Sequence, residues 1–84
     1  MRRALLLLLV AAAPAPAPVG ATSCTGCHAA GLGAGVLQGH PADDTAAQME
    51  AFRSGARPAT LMNRIVRGFT PEEVKAIAEW FAHP

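Results

Sequence analysis

Cys24-Thr25-Gly26-Cys27-His28 holds both cysteines of an 84-residue chain and one of its three histidines. Two thiols with two residues between them lie about one turn apart on one face of a helix. In an oxidising compartment the ordinary outcome for such a pair is a disulfide. A thioredoxin-like redox pair needs a βαβ setting, for which this chain has no room. A zinc site needs four ligands, commonly two such pairs. The full run C-x-x-C-H, with a histidine directly after the second thiol, reads as attachment of a c-type haem. Cys24 and Cys27 then each form a thioether with one haem vinyl group. His28 lies under the iron and supplies the proximal nitrogen.

The residues before the motif read as an export leader over 1–21. Arg2 and Arg3 make a positive start, and Ala4 to Ala13 is an unbroken apolar run of ten. That run suits a signal-peptide core and is too short for a bilayer, which needs ~20 residues. The alternating Pro14-Ala15-Pro16-Ala17-Pro18 cannot continue a helix. Val19-Gly20-Ala21 places small residues where a signal peptidase reads, so cleavage is expected after Ala21. The residues before Cys24 lack a leucine-containing lipobox, which argues against a lipid anchor there. The mature domain expected is 22–84, exported to the periplasm, with no membrane span. Of the chain's apolar residues, 15 fall in 1–21 and 28 in 22–84, so the high apolar fraction of 51% belongs largely to the leader. Removing Arg2 and Arg3 leaves five basic residues against six acidic ones, a formal charge of −1. No basic stretch remains to neutralise a run of phosphates, so nucleic acid is excluded as a partner class. A domain of about 63 residues gains only marginal stability from side chains alone. A haem, large and mostly apolar, answers that deficit by serving as the centre of the domain.

The rest of the chain reads as helices and loops. Ala29 to Gly35 is glycine-rich and loop-like, and Val36 to Pro41 is a further loop. Asp43 or Asp44 can cap a helix whose face carries Ala46, Met49 and Phe52, ended by Gly55. Leu61, Met62, Ile65 and Val66 mark a short apolar helix stopped by Gly68. The last helix has the fullest set of signals. Thr70 suits the N-cap, Pro71 the first helical position, and Glu73 completes a capping box. Phe69 and Val74 are placed for a hydrophobic staple. Val74, Ile77, Ala78 and Phe81 form an apolar stripe with Trp80 at its edge. No segment alternates like a strand, so the fold class is all-α.

Together these residues resemble a small class I cytochrome c over 24–82: C-x-x-C-H, a glycine-rich loop, a helix, a ligand methionine and a C-terminal helix with an aromatic pair. The stretch Thr60-Leu61-Met62-Asn63-Arg64-Ile65-Val66-Arg67-Gly68-Phe69-Thr70, running on to Trp80-Phe81, is especially similar to the cytochrome subunit of flavocytochrome c sulfide dehydrogenase. The resemblance implies one covalent haem c, His28 and Met62 as the two iron ligands, and an FAD-containing flavoprotein partner that oxidises sulfide. It also implies a downstream electron acceptor such as another cytochrome. Two departures stand out. The family's helix before the first cysteine, packed on the C-terminal helix, has only Thr22 and Ser23 to represent it after cleavage at Ala21. The family's proline, whose carbonyl orients the proximal histidine, falls at Gly35, where a carbonyl is still present.

Met62 lies thirty-four residues after His28, in the segment where the family has its ligand methionine. Met49 shares a helix face with Ala46 and Phe52 and reads as core. His40 offers bis-histidine ligation, but its place beside Pro41 in a loop reads as exposed, and His83 reads as solvated. Arg57, Arg64 and Arg67 flank the Met62 segment, as candidates for a haem propionate, a partner surface or plain solvation. Trp80 and Phe81 read as packing residues. A thioether is a neutral, soft ligand, so Met–His ligation raises the reduction potential relative to bis-His. With both axial positions taken by the protein, no site is left for substrate on the iron. The function expected is outer-sphere electron transfer, with no catalysis by the chain itself. Alternatives are a free cytochrome that shuttles electrons to a terminal oxidase or reductase, a haem-based ligand sensor, and a thiol–disulfide protein without haem.

Overall fold

The computed structural model describes Ala4, residues 16–29, Gly31 and residues 33–83. Arg2, Arg3 and most of the apolar run, on which the leader reading rests, lie outside the described residues, as do Ala30 and Leu32. Four helices are present: α1 (Ala21–His28), α2 (Ala42–Ser54), α3 (Met62–Val66) and α4 (Pro71–Ala82). No strand occurs among the described residues, and the all-α class is borne out. No helix among them is long and apolar enough to cross a membrane.

The helix that organises the rest is α4, and its start is fixed locally. The Thr70 hydroxyl accepts from the Glu73 backbone N–H at 3.1 Å, and the Glu73 carboxylate accepts from the Thr70 N–H at 2.9 Å. Two N–H groups that a helix start leaves unpaired are thereby satisfied. Pro71 stands at the first position, and Glu72 and Glu73 place negative charge at the positive end of the helix. Val74, Ile77, Ala78 and Phe81, the expected stripe, are all buried.

That stripe serves two apolar clusters. Ile77 and Phe81 pack with Ala21 of α1, and Cys24, Leu37, Phe69 and Trp80 close around them. Val74 packs with Met49 of α2 and Val66 of α3, flanked by Ala46, Phe52 and Met62. Phe69 touches both clusters and joins them, so the expected staple residue also bridges the two halves of the core. Two hydrogen bonds fasten loops to this frame. The Arg53 guanidinium donates to the Phe69 carbonyl at 2.7 Å, tying the end of α2 to the entry of α4. The Gly39 N–H donates to the Phe81 carbonyl at 3.0 Å, holding the loop before α2 against the end of α4.

The start of α2 differs from the sequence reading. The N-cap is Pro41, with φ −55° and ψ 136°, and no side chain caps the helix. Pro41 supplies the carbonyl that accepts from Asp44 N (3.1 Å) and Thr45 N (3.2 Å). A cap residue needs no N–H of its own, so proline is no handicap there. Asp43 and Asp44 fall inside the first turn, where the helix dipole favours them without a capping bond. Gly55 ends α2 in the left-handed conformation, φ 84°, as its place in the sequence implied.

Replacing Thr70 with Ala removes the hydroxyl that caps the Glu73 N–H and leaves the backbone N–H that the Glu73 carboxylate accepts from. Loss of an N-cap costs about 1 kcal/mol. In a domain this small that lowers the thermal midpoint by roughly 4–8 °C. Thermal unfolding followed by circular dichroism checks it, and an unchanged midpoint in T70A contradicts the assigned role.

Candidate functional site

Both cysteines, His28 and Met62 line a single cleft of about 910 Å³. The motif is helical as a whole, so Cys24 and Cys27 sit one turn apart on α1 and reach the same space. Both thiols are free. Cys24 is half-buried, and its thiol lies 3.4 Å from the Gly20 carbonyl, to which it donates. Burial pushes the Cys24 thiol above its ordinary pKa, against a smaller opposing effect of the backbone hydrogen bond. Cys27 is exposed. Among the described residues no three or more His, Cys, Asp or Glu side chains gather as a metal-binding cluster.

The His28 ring is held by one hydrogen bond, Nδ1 to the Gly35 carbonyl at 3.0 Å. A carbonyl can only accept, so Nδ1 carries the proton and donates. A neutral ring then keeps its lone pair on Nε2, the tautomer a metal ligand needs. Gly35 is the position at which the resembled family has proline. Here the carbonyl is delivered by a left-handed backbone, φ 87°, which proline cannot adopt and other side chains rarely do. The same acceptor is thus reached by a different backbone route.

Met62 opens α3 and is half-buried, between the cleft and the Met49–Val66–Val74 cluster. Met49 also borders the cleft, but it is only 6% exposed and is held inside that cluster from α2. His40 is exposed and borders the cleft as well. Its Nε2 donates to the Val36 carbonyl at 3.1 Å, so that nitrogen is already engaged with backbone. His83 lies outside the cleft, exposed, 3.6 Å from the Glu79 carboxylate. Trp80 packs beside Ile77 and Phe81 and does not line the cleft, in keeping with a packing role.

The three arginines separate cleanly. Arg64 and Arg67 are exposed and stand away from the cleft, whereas Arg57 lines it. The Arg57 guanidinium donates to Gln48 Oε1 at 2.6 Å and lies over the Phe52 ring, 4.7 Å from its centre. The polar side chains at the cleft include Arg57, Gln48, His40 and Asp44. The rest of the cleft is lined mainly by apolar side chains, among them Leu37, Phe52, Leu61 and Ile65. Leu61 and Ile65 are 64% and 44% exposed, large apolar groups turned to a space that no other side chain fills. The Gln48–Arg57 pair was not visible in the sequence, because a contact nine residues apart across a helix end has no local signature.

These residues fit a haem. Two thiols one turn apart, an imidazole in the right tautomer and a thioether border one cleft with apolar walls and one arginine. The test of the histidine geometry is Gly35→Ala, which asks a side-chain-bearing residue to hold φ 87° at a cost of about 1–2 kcal/mol. Displacing the carbonyl weakens the Nδ1–H bond and lowers ligand basicity. The reduction potential of the haem-loaded protein is expected to rise, and its thermal midpoint to fall. An unchanged potential and midpoint in G35A contradicts the assignment.

No family model matches the chain. Two characterised proteins do. A thiosulfate dehydrogenase electron acceptor of Stutzerimonas stutzeri (strain A1501) is 41% identical over 68 residues, covering 71% of this chain. A cytochrome subunit of sulfide dehydrogenase of Chlorobaculum tepidum is 34% identical over 65 residues, covering 73% of this chain. The chain spans 32% of the length of the first relative and 59% of the second. Both are named as a cytochrome subunit or an electron acceptor, and neither as the catalytic component. Over more than two thirds of its own length, the chain is similar to one protein named as an electron acceptor of thiosulfate dehydrogenase and one named as a cytochrome subunit of sulfide dehydrogenase.

Proposed function

We propose that the chain is an exported electron-transfer protein, or the electron-transfer part of one. In this reading it carries one haem c on Cys24 and Cys27, with His28 and Met62 as iron ligands. The observation that carries the proposal is that these four residues border one cleft. When bound there, the haem supplies a one-electron couple between ferric and ferrous iron. The protein's own residues set its surroundings. Gly35 fixes the His28 ring and keeps its Nε2 lone pair free for ligation. Met62 offers a soft, neutral sulfur that favours the ferrous state. Leu37, Met49, Phe52, Leu61, Ile65 and Ile77 give the cleft apolar walls that would keep water from a haem bound there. Arg57 is the one Lys or Arg among the cleft residues, so it is the arginine that would pair with a haem propionate. Two protein ligands leave the iron no open position, which favours transfer of electrons without catalysis at the haem.

The N-terminal Arg2-Arg3 and apolar run support export to the periplasm. For the electron donor, we favour an FAD-containing flavoprotein that oxidises sulfide, on the likeness of residues 60–70 and 80–81 to the sulfide dehydrogenase cytochrome. The 41% identity to a thiosulfate dehydrogenase electron acceptor favours a second reading, in which a thiosulfate-oxidising enzyme is the donor. Either donor passes electrons through this chain to a further acceptor such as another cytochrome.

The Met62 assignment is tested by the optical spectrum of the ferric protein. The weak far-red band of methionine-ligated ferric haem is expected in the wild type and in Met49→Leu, and is expected to vanish in Met62→Ala. Its persistence in M62A moves the ligand elsewhere. The donor is tested by mixing the ferric protein with a sulfide dehydrogenase flavoprotein and sulfide, and separately with thiosulfate dehydrogenase and thiosulfate. Rapid reduction in the first mixture alone supports the flavoprotein, and reduction in the second alone supports the other reading.

A further inference from the structure

The residues expected to end the leader are built into the folded domain. Ala21 is fully buried, 0% exposed, against Ile77 and Phe81. Its N–H donates to the Pro18 carbonyl at 3.1 Å. Gly20 is the N-cap of α1, with φ 86°. The Phe69 ring covers it so closely that a Cβ there would stand 2.3 Å from Cε1 and 2.4 Å from Cζ. Glycine is therefore required at position 20 twice over, by backbone conformation and by space. The Gly20 carbonyl accepts from Cys24 N (3.4 Å), Ser23 Oγ (2.6 Å) and Cys24 Sγ (3.4 Å). It thus holds the first turn of the helix that carries both haem-binding thiols.

Cleavage after Ala21 removes all of this. It uncovers parts of Ile77, Phe81 and Phe69, the residue that joins the two core clusters. It takes the carbonyl acceptors from the first turn of α1. It also leaves a charged terminal ammonium on Thr22, beside the apolar site that Ala21 fills, where desolvating a charge is costly. We propose that signal peptidase cuts this protein upstream of Pro18, and that residues 18–21 belong to the mature domain as the cap of α1. The sequence offers such a site: Val10-Ala11-Ala12 places small residues at both positions the peptidase reads and is followed by Ala13, whereas cuts after Ala13, Ala15 or Ala17 would fall directly before a proline. The contact between an N-terminal element and α4, which cleavage at Ala21 makes largely absent, is then present in reduced form through one buried alanine.

This inference rests on the export reading, and its test separates the two. The full chain is expressed with c-type haem maturation, and the haem-loaded protein is purified and its N-terminus determined by intact mass and terminal sequencing. A first residue at or before Pro18 is expected. Thr22 as the first residue overturns the inference and leaves export intact, whereas an intact Met1 overturns the export reading as well. Gly20→Val gives a second readout. At position 20 it lies between the two residues a peptidase cutting after Ala21 would read, so such cutting yields a mature protein identical to wild type. If residues 18–21 are retained, G20V instead lowers the thermal midpoint of the haem-loaded protein by more than about 4 °C, or its yield collapses. Wild-type mass, midpoint and yield from the G20V gene overturn the inference.

Discussion

The structure depends on a shortage of apolar side chains that can meet one another. Among the described residues seven apolar side chains are buried, and six of them, Ala21, Met49, Val66, Val74, Ile77 and Phe81, form two clusters joined through Phe69. Other large apolar groups, including Leu37, Leu61 and Ile65, turn toward the cleft. The helices α2, α3 and α4 with the loop between α1 and α2 line this space from different sides, and no side chain among them is long enough to close it. A domain of this size has little stability to spare. In the proposed reading, a flat apolar cofactor between those walls would convert the exposed surface into core, and attachment to α1 would fix its position relative to α4.

That arrangement joins stability and function in the same residues. Cys24 is both a thiol of the attachment motif and a member of the cluster around Ile77 and Phe81. Met62 packs against Met49, Val66 and Val74 while bordering the cleft. Gly35 has no packing role, since nothing lies within 4 Å of an added Cβ, yet it supplies the one acceptor that sets the His28 tautomer. Arg57 is held by Gln48 and the Phe52 ring. Arg53 is used structurally, bracing the entry to α4 through the Phe69 carbonyl and pairing with Glu50 at 3.1 Å.

What was legible in the sequence is what is encoded locally. The capping box of Thr70 and Glu73, the stripe on α4, Gly55 after α2 and the short α3 each depend on residues within about two turns of one another. That Cys24, Cys27, His28 and Met62 would border one cleft was expected from the sequence on different grounds, the atoms that a haem site demands. The start of α2 was misplaced because Asp43, Asp44 and Pro41 compete for it, and the proline carbonyl prevailed. Gly20 and Ala21 were ambiguous in principle. Small residues before the motif suit a peptidase and suit a tight helix start equally well, and only the fold shows Phe69, Ile77 and Phe81 against them. The Arg53–Phe69 and Arg57–Gln48 bonds join residues with no shared period, so no pattern announces them.

The central claim is that Cys24 and Cys27 fasten a haem into this cleft, and the mass of the protein under denaturing conditions tests it most directly. Protein matured with c-type haem machinery should retain the mass of one haem after acid–organic extraction, and Cys24→Ser with Cys27→Ser should lose it. A wild-type protein that matures, folds and carries no covalent haem contradicts the account.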